Sequence, residues 1–283
     1  MNGNTQKKSL RADPFSLVMR VLVWGAALLT AGVLLALIAY ILIRGVPNLK
    51  LSLFELEYNS ENVSMFPSIV MTIYMTVLTL IITTPLGIGC AIYLTEYAKR
   101  GNKVVEVIRL AAETLSGIPS IVYGLFGMLF FVTALQWKNS ILAGSCTLAI
   151  MVLPLIIRST EEALKSVPDS YREASFGLGA GKLRTVVRVV LPPAMPGIVA
   201  GVILAVGRIV GETAALIYTA GTVAKITINP MESARTLAVH MYALSSEGLH
   251  TNEAFATGVV LLLVVLTLNA TSNAIAKRIT KGK

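Results

Sequence analysis

Six long apolar stretches constrain this sequence more than any other feature. They occupy residues 21–43, 68–93, 108–135, 141–157, 191–220 and 254–275. A helix needs about 20 mostly apolar residues to cross a bilayer, and backbone groups in lipid must find hydrogen-bond partners within the protein. The sequence therefore predicts an all-α polytopic membrane protein with six transmembrane helices. The fourth stretch is short, and we expect its flanking residues to extend it.

Composition and charge agree with a membrane protein. Only 14% of the 283 residues are charged, against about 25% in an average soluble domain, and the mean hydropathy is +0.74. Basic loops beside a membrane explain the net charge of +9 better than nucleic-acid binding does. Cys90 and Cys146 both fall within apolar stretches, so we expect two small buried residues rather than a disulfide.

The placement of lysine and arginine predicts the orientation of the chain. Three quarters of the 24 such residues fall in the N-terminal segment, the loops at 94–109 and 158–190, and the C-terminal tail. Cytoplasmic loops carry the excess of positive charge in membrane proteins. We therefore expect both termini inside, with a cytoplasmic tail at 1–20 and a transmembrane domain at 21–283. The first apolar stretch is too long for a signal peptide and is interpreted as a retained helix.

The fifth apolar stretch contains two charged residues, Arg208 and Glu212, one helical turn apart. Arginine at a bilayer centre costs about 2.5–3.5 kcal/mol on insertion scales, so an ionisable residue there indicates a functional site. One continuous helix would place both on a stripe of small residues. The opposite side carries Ile198, Val199, Ile203, Val206 and Ile217. The spacing permits an ion pair, which either fixes helix packing or handles a charged substrate.

Two other stretches contain helix breakers. The second has Pro85, Gly87 and Gly89, and the third has the run LSGIPSIVYGLFG at 115–127. Broken membrane helices often line a transport pathway, whereas small residues also mark tight helix packing. The sequence leaves both interpretations open.

The cytoplasmic loop at 161–190 has the composition of short helices. Tyr171, Ala174 and Leu178 fall on one helical face, and glycines interrupt the chain before Lys182. A short exposed amphipathic element suits docking into a groove on a partner; a plain solvated connector is the alternative. The run GLGAGK lacks the earlier glycine and the following Ser or Thr of a phosphate-binding loop, so we expect no ATP binding by this chain.

Other polar residues are given structural roles. Arg109 and Glu113 are spaced for an ion pair that anchors the third helix at the membrane interface. His240 and His250 lie in the outer loop at 220–253 without cysteine or carboxylate at metal-ligand spacing. Both are interpreted as surface residues, and we expect no metal site.

The cytoplasmic loop also contains a family signature. Its residues, in order, are Glu173, Ala174, Ser175, Gly179, Val189, Leu191 and Pro192. They resemble the EAA motif of ABC-importer permeases, which reads E-A-A, three residues, G, nine residues, I-x-L-P. The chain departs from the motif by Ser175 in place of the second alanine and by Val189 in place of isoleucine.

Further runs narrow the resemblance to phosphate-specific importer permeases. They are LSGIPSIVYGLF at 115–126, VPDSYREA at 167–174 and RIVGETA at 208–214. GETAALIYTAGT at 211–222 and TLAVHMYALSSEG at 236–248 are similar to PstA-type members rather than to their PstC-type partners. The resemblance covers about residues 65–280, which we take as the core of a permease domain.

The resemblance implies a type I ABC-importer permease-like bundle and a set of site residues. The residues implied to couple the chain to a separate ATPase are Glu173, Ala174, Gly179, Leu191 and Pro192. Arg208 and Glu212 would form an oxyanion gate, in which Glu212 neutralises the guanidinium until phosphate arrives. Arg158 resembles a second position on the exit route, with a membrane anchor as the alternative. No catalytic residue is implied.

On this interpretation, the chain is the permease subunit of an ATP-driven phosphate importer in the bacterial inner membrane, and it is not an enzyme. The implied partners are a homologous PstC-like permease, two ATPase subunits that bind ATP and Mg, an external phosphate-binding protein and the lipid bilayer. The chain itself would bind no cofactor and no nucleic acid. The alternatives are a permease for sulfate or molybdate, an ion-coupled carrier or channel, and a membrane sensor of phosphate status.

Overall fold

A computed structural model describes residues 14–99 and 101–281, and every regular element within those ranges is helical. In chain order the α-helices of this part are α1 (Pro14–Gly45), α2 (Phe66–Ile92), α3 (Lys103–Ser116), α4 (Ser120–Gly127), α5 (Ile141–Lys165), α6 (Asp169–Gly177), α7 (Lys182–Thr185), α8 (Leu191–Val210), α9 (Ala214–Thr219), α10 (Leu237–Glu247) and α11 (Thr251–Lys281). π-helical turns follow α2 and α4 and precede α8, at Tyr93–Tyr97, Met128–Ala134 and Val186–Val190.

The predicted all-helical membrane architecture is confirmed. Five helical segments of the described ranges are long and apolar enough to cross a membrane, and a bent pair made of α3 and the α4 segment gives a sixth if it counts as one span. The short fourth stretch is extended as expected, because α5 continues to Lys165.

The third span differs from the prediction of one helix at 108–135. The chain bends by 106° between Lys103–Ser116 and Ser120–Ala134. Pro119 stands at the bend in an extended conformation, and proline has no N–H to continue the helical hydrogen bonds. It also disfavours helical backbone at the preceding residue, so the helix stops and starts again in a new direction.

The fifth span is displaced along the chain relative to the predicted 191–220. It runs from Lys182 to Val210, because α7, the π-helical turn and α8 follow one another without interruption. Pro192 lies directly after the π-helical turn, in the first turn of α8, and does not break this path. The helix ends instead at Gly211, and the short helix α9 follows.

Helix α5 forms the centre of the bundle and packs against α2 and α8. The core between them includes Met75, Leu148 and Ile156, all fully buried. A Cβ atom on Gly87 of α2 would meet Cγ2 of Ile156 at 2.6 Å, so the absence of a side chain there sets the distance between the two helices. At Gly87, tight packing is therefore the interpretation that the structure supports.

Helix α1 packs against the bundle through its C-terminal end. Residues 15–40 are exposed in this chain. At the other end, Gly45 approaches Phe255 and Val259 of α11 so closely that a Cβ atom would not fit. The ring of Tyr40 lies edge-on to Phe255, with ring centroids 5.6 Å apart. The first transmembrane helix is thus attached at one point along its length.

The predicted outer loop at 220–253 contains a helix, and His240 is buried there. Helix α10 begins at Leu237, whose N–H donates to Oγ1 of Thr72 at 2.8 Å, and its inner side carries His240 at 0% exposure. The interpretation of His240 as a surface residue is wrong, because the loop folds into a helix with a buried side. His250 is partly exposed, and Cys90 and Cys146 are free and partly buried.

The environment of His240 keeps its imidazole neutral. Burial, and then the charge of Arg235, lower the pKa of His240 to about 3. The ring of Tyr58 stands edge-on to the imidazole at 6.1 Å, and the guanidinium carbon of Arg235 lies 4.4 Å from the centre of the same tyrosine ring. A second positive charge beside Arg235 would be costly in this buried position.

Candidate functional site

Arg208 lies in the last turn of α8 and faces a cleft of about 490 Å³. The cleft is bounded by α3, α5 and α8, and its charged residues are Arg109, Glu113, Arg158, Glu161, Glu162, Lys165 and Arg208. Two predicted pathway residues, Arg208 and Arg158, therefore share one cavity. They come from different helices, and the packing of α8 on α5 brings them to the same cleft.

The predicted ion pair between Arg208 and Glu212 is not formed. Glu212 lies beyond the end of α8, where the helical spacing that would join the two residues no longer applies. Its Oε1 instead accepts a hydrogen bond from the N–H of Ala215 at 3.1 Å, which satisfies a free donor in the first turn of α9. Glu212 is 9% exposed, so this acceptor is held in a nearly closed environment.

The other cations of the cleft have carboxylate partners. Glu161 lies 2.5 Å from Nη2 of Arg109 and 2.7 Å from Nζ of Lys165. Nε of Arg158 donates to Glu162 at 3.1 Å. Among the described residues, Arg208 makes no such ion pair. Its donors are therefore available to an anion in the cleft.

Arg109 has a different partner from the one predicted. The sequence spacing favoured Glu113, but the side chain reaches across to Glu161 on α5. Glu161 is 8% exposed, and a buried carboxylate is strongly stabilised by a second cation. The contact therefore ties α3 to α5 at one side of the cleft, rather than anchoring α3 alone.

The small-residue stripe of α8 faces α5, as Gly201 and Ala205 show. Ala205 is fully buried, and a Cβ atom on Gly201 would clash with the side chain of Ser159. The opposite side is not uniformly outward, because Ile198 and Val206 are 2% and 5% exposed. Helix α11 also packs against α8, so both sides of the helix contact protein.

The residues predicted to couple to an ATPase lie in and around α6. Glu173 and Ala174 are exposed on α6, and Leu178 just beyond it is 89% exposed. Gly179 has a φ of +83°, a backbone conformation that glycine adopts without steric cost. Leu191 and Pro192 begin α8, so one unbroken helical path connects the end of this loop to Arg208.

Ser175, where the family motif has alanine, has a partner in the structure. Its hydroxyl lies 2.8 Å from the hydroxyl of Thr185, and both residues are buried. The hydrogen bond joins α6 to α7 across the glycine turn. A polar side chain is thus accommodated at this motif position because a second polar side chain faces it.

Sequence reasoning missed an ion pair between Arg172 and Glu96. Arg172 lies on α6, and Glu96 lies in the π-helical turn after α2; Nη2 and Oε1 are 2.7 Å apart. The hydrogen bonds to Glu96 raise the pKa of Arg172 above its ordinary value. No spacing along the chain connects the two residues, so only the fold brings them together.

These features define a helical transport permease. The chain belongs to the family described as "Binding-protein-dependent transport system inner membrane component", whose profile matches residues 83–282. It is therefore a component of a membrane transport system and not an enzyme.

Relatives support the narrower resemblance. "Probable ABC transporter permease protein YqgI" of Bacillus subtilis (strain 168) is 37% identical over 261 residues, which cover 86% of this chain and 88% of that protein. "Phosphate transport system permease protein PstA 1" of Mycobacterium tuberculosis (strain ATCC 25618 / H37Rv) is 34% identical over 192 residues, 67% of this chain and 62% of that protein. The PstA protein of Yersinia pestis is 42% identical over 139 residues, 49% of this chain and 46% of that protein. The predicted resemblance to PstA-type permeases is confirmed.

Solved structures share the fold at low sequence identity. A chain of the bacterial alginate ABC transporter, in complex with its alginate pentasaccharide-bound periplasmic protein, has a TM-score of 0.66 at 17% identity, covering 95% of this chain and 98% of that one. A chain of the inward-facing MetNI methionine ABC transporter has a TM-score of 0.61 at 20% identity, covering 86% and 98%. The predicted type I ABC-importer permease-like fold is confirmed.

Proposed function

We propose that this chain is the PstA-type permease subunit of an ATP-driven phosphate importer and forms half of its translocation pathway. The observation that carries the proposal is Arg208, which faces a cleft within the helical bundle and has no carboxylate partner among the described residues. The names of the mycobacterial and Yersinia relatives supply phosphate as the anion.

The chemistry of Arg208 suits an oxyanion. A guanidinium presents a planar fork of donors that matches two oxygens of phosphate, and it stays charged in any physiological environment. The neighbouring cations Arg109, Lys165 and Arg158 already have carboxylate partners, because Glu161 is shared by the first two and Glu162 binds the third. Phosphate in the cleft would therefore meet Arg208 as the cation with its donors unoccupied.

Two other residues are assigned supporting roles. Glu212 holds the first turn of α9 and so fixes the end of α8 that presents Arg208. Arg158 is 70% exposed in its side chain and is held by Glu162. It offers a second cation on the exit route when phosphate displaces that carboxylate.

The charge of the loops supports an orientation, and the family supports the partners. The excess of lysine and arginine in the predicted inner loops favours both termini and α6 in the cytoplasm. There the exposed coupling residues, namely Glu173, Ala174 and Gly179, would meet one of two ATPase subunits, which bind ATP and Mg. A homologous PstC-like permease completes the pathway, and an external phosphate-binding protein delivers the substrate.

Uptake by proteoliposomes that contain the whole complex tests this function. Arg208→Gln removes the charge and the fork, so we expect phosphate uptake to be abolished while the complex still assembles. Lys225→Gln is the matched control, because this cation lies in the outer loop and is 60% exposed; it should leave uptake unchanged.

Two results would contradict the proposal. Normal uptake by the Arg208→Gln complex would exclude a role of Arg208 in the phosphate pathway, and uptake driven by an ion gradient without ATP would indicate a secondary carrier. Competition by sulfate or molybdate that equals competition by unlabelled phosphate would assign another oxyanion.

A further inference from the structure

One guanidinium connects the ends of three helical elements at the coupling loop. Nε of Arg172 donates to both carboxylate oxygens of Glu96, at 3.1 and 3.2 Å, and Nη2 donates to Oε1 at 2.7 Å. The same guanidinium donates to the carbonyl of Val167 at 2.8 Å and to that of Leu164 at 3.0 Å. Arg172 on α6 is thus bonded to the end of α2 and to the end of α5.

The pair is too well enclosed to be a surface salt bridge. The side chains of Arg172 and Glu96 are 14% and 7% exposed. Burying two charges removes their hydration, and an apolar pair of similar volume often stabilises a protein equally well. Removing one partner, in contrast, leaves an unpaired buried charge. The contribution that an apolar pair cannot replace is therefore directional geometry, which the rigid guanidinium fork supplies.

The rest of α6 offers few polar links to the bundle. Tyr171, Glu173 and Phe176 are exposed, and the hydroxyl pair of Ser175 and Thr185 joins α6 to α7 rather than to α2 or α5. Among the described residues, two sets of polar contacts can therefore transmit a force from the exposed face of α6 to the bundle. The hydrogen bond to Thr185 connects α6 to α7 and so to α8, and the hydrogen bonds of Arg172 connect α6 to the ends of α2 and α5.

We propose that Arg172 is a positioning residue that locks α6 to the ends of α2 and α5, so that these three helices move as one body when the ATPases close. The inference rests on the proposed function for the direction of the force. The connection continues into the bundle, because α2 and α5 are in close contact where Gly87 meets Ile156. Without the lock, α6 would follow the ATPase while α2 and α5 lagged behind.

Spin labels on α6 and on the continuation of α2 report this lock directly. Ser170 and Tyr93 are exposed positions on the two elements, and each is changed to cysteine after Cys90 and Cys146 are replaced by alanine. In the assembled complex we expect one narrow distance distribution that stays the same when ATP binds. In the double variant Arg172→Met, Glu96→Met, we expect a broad distribution that shifts with ATP.

The double variant separates positioning from folding. Arg172→Met alone leaves the Glu96 charge buried, so we expect less assembled complex. The second change removes that charge and should restore assembly, but the ATP consumed per phosphate transported should be several-fold higher than in the wild type. The matched control is the exposed outer-loop pair Lys225 and Glu232, and changing both to methionine should leave distances and stoichiometry unchanged.

The outcomes distinguish this inference from the proposed function. A double variant that assembles and keeps wild-type distances and stoichiometry would overturn the lock. The label distances require ATP and the ATPase but no phosphate, so a wild-type complex that fails to take up phosphate would overturn the proposed substrate while the distances still decide the role of Arg172. A wild-type complex that binds no ATPase would overturn both.

Discussion

At the scale of single residues, the cations that line the cleft sort into paired and unpaired ones. Glu161 is shared by Arg109 and Lys165, whereas Arg208 faces the cleft without a carboxylate partner among the described residues. An ion pair within the protein occupies hydrogen-bond donors of its cation, so these donors cannot bind an incoming anion. The residue that matters for an incoming anion is therefore the one that the fold has left free, and not the most buried one.

His240 gives a prediction about pH. Its pKa in the folded protein is lowered from 6.5 to about 3, so between these values the unfolded chain binds a proton that the folded chain does not. The free energy of unfolding should therefore fall as the pH drops below 6.5, by up to about 1.4 kcal/mol per pH unit. Melting temperatures of the purified complex between about pH 7.5 and pH 5 measure this loss.

His240→Phe serves as the comparison. The phenyl ring keeps an aromatic contact with Tyr58 but has no nitrogen that could bind a proton. We expect the melting temperature of the variant to decline less steeply with falling pH than that of the wild type. Identical slopes would show that the imidazole is protonated in the folded protein or contributes nothing.

At the scale of elements, the turn between α6 and α7 depends on Gly179. Its φ of +83° lies in the left-handed region, where a side chain costs about 1–2 kcal/mol. Gly179→Ala should therefore disturb the placement of α6 and reduce co-purification of the ATPase several-fold. Gly181→Ala is the matched control, because Gly181 has a φ of −70° and open space around it. Equal co-purification of the two variants would show that the turn does not set the docking surface.

The contact between α2 and α5 gives a second prediction at this scale. Gly87→Ala places a methyl group 2.6 Å from Cγ2 of Ile156, and overpacking of this kind costs about 1–3 kcal/mol. Gly89, two residues along the same helix, has no atom within 4 Å of a Cβ. Gly89→Ala should be neutral or stabilising by up to about 1 kcal/mol. Thermal unfolding of the two purified variants measures the difference, and a destabilised Gly89 variant with an intact Gly87 variant would refute the packing.

Sequence patterns predicted the helices of this chain better than their ends. Apolar length sufficed to find the spans, because insertion in lipid depends on composition. Apolar length did not reveal that α8 ends at Val210. The residues that follow, Gly211 to Thr213, can either continue a helix in an apolar stretch or end it. The expected pairing of Arg208 with Glu212 is wrong for the same reason, because an i,i+4 pair requires an unbroken helix.

Contacts between distant segments were beyond the sequence for a different reason. Arg172 and Glu96 are separated by 76 residues, and nothing in their local sequence selects one another. The sequence spacing predicted that Arg109 pairs with its near neighbour Glu113. In the fold it pairs with Glu161, which is buried and also contacts Lys165. The sequence did identify Gly179, because its role depends on the backbone conformation of its own turn and not on a distant partner.

At the scale of the whole molecule, the predicted orientation can be tested by labelling. Ile228 is 87% exposed in the outer loop, and Lys103 is exposed at the start of α3. In a chain with Cys90 and Cys146 replaced, a membrane-impermeant maleimide should label Ile228→Cys in intact cells. It should label Lys103→Cys only after the membrane is permeabilised. The reverse pattern would place the basic loops outside and exclude docking of a cytoplasmic ATPase on α6.

Because α1 is attached to the bundle at one end, its insertion into the membrane and its docking onto the other helices depend on different residues. Insertion of α1 draws on its own apolar surface and needs no other helix. Docking draws on a small area around Gly45 and Phe255, where close approach of backbones replaces the hydrophobic effect, which lipid does not provide. A single methyl group on Gly45 would therefore leave the helix in the membrane while detaching it from the bundle, so that biogenesis of α1 and its assembly become separately adjustable properties of the chain.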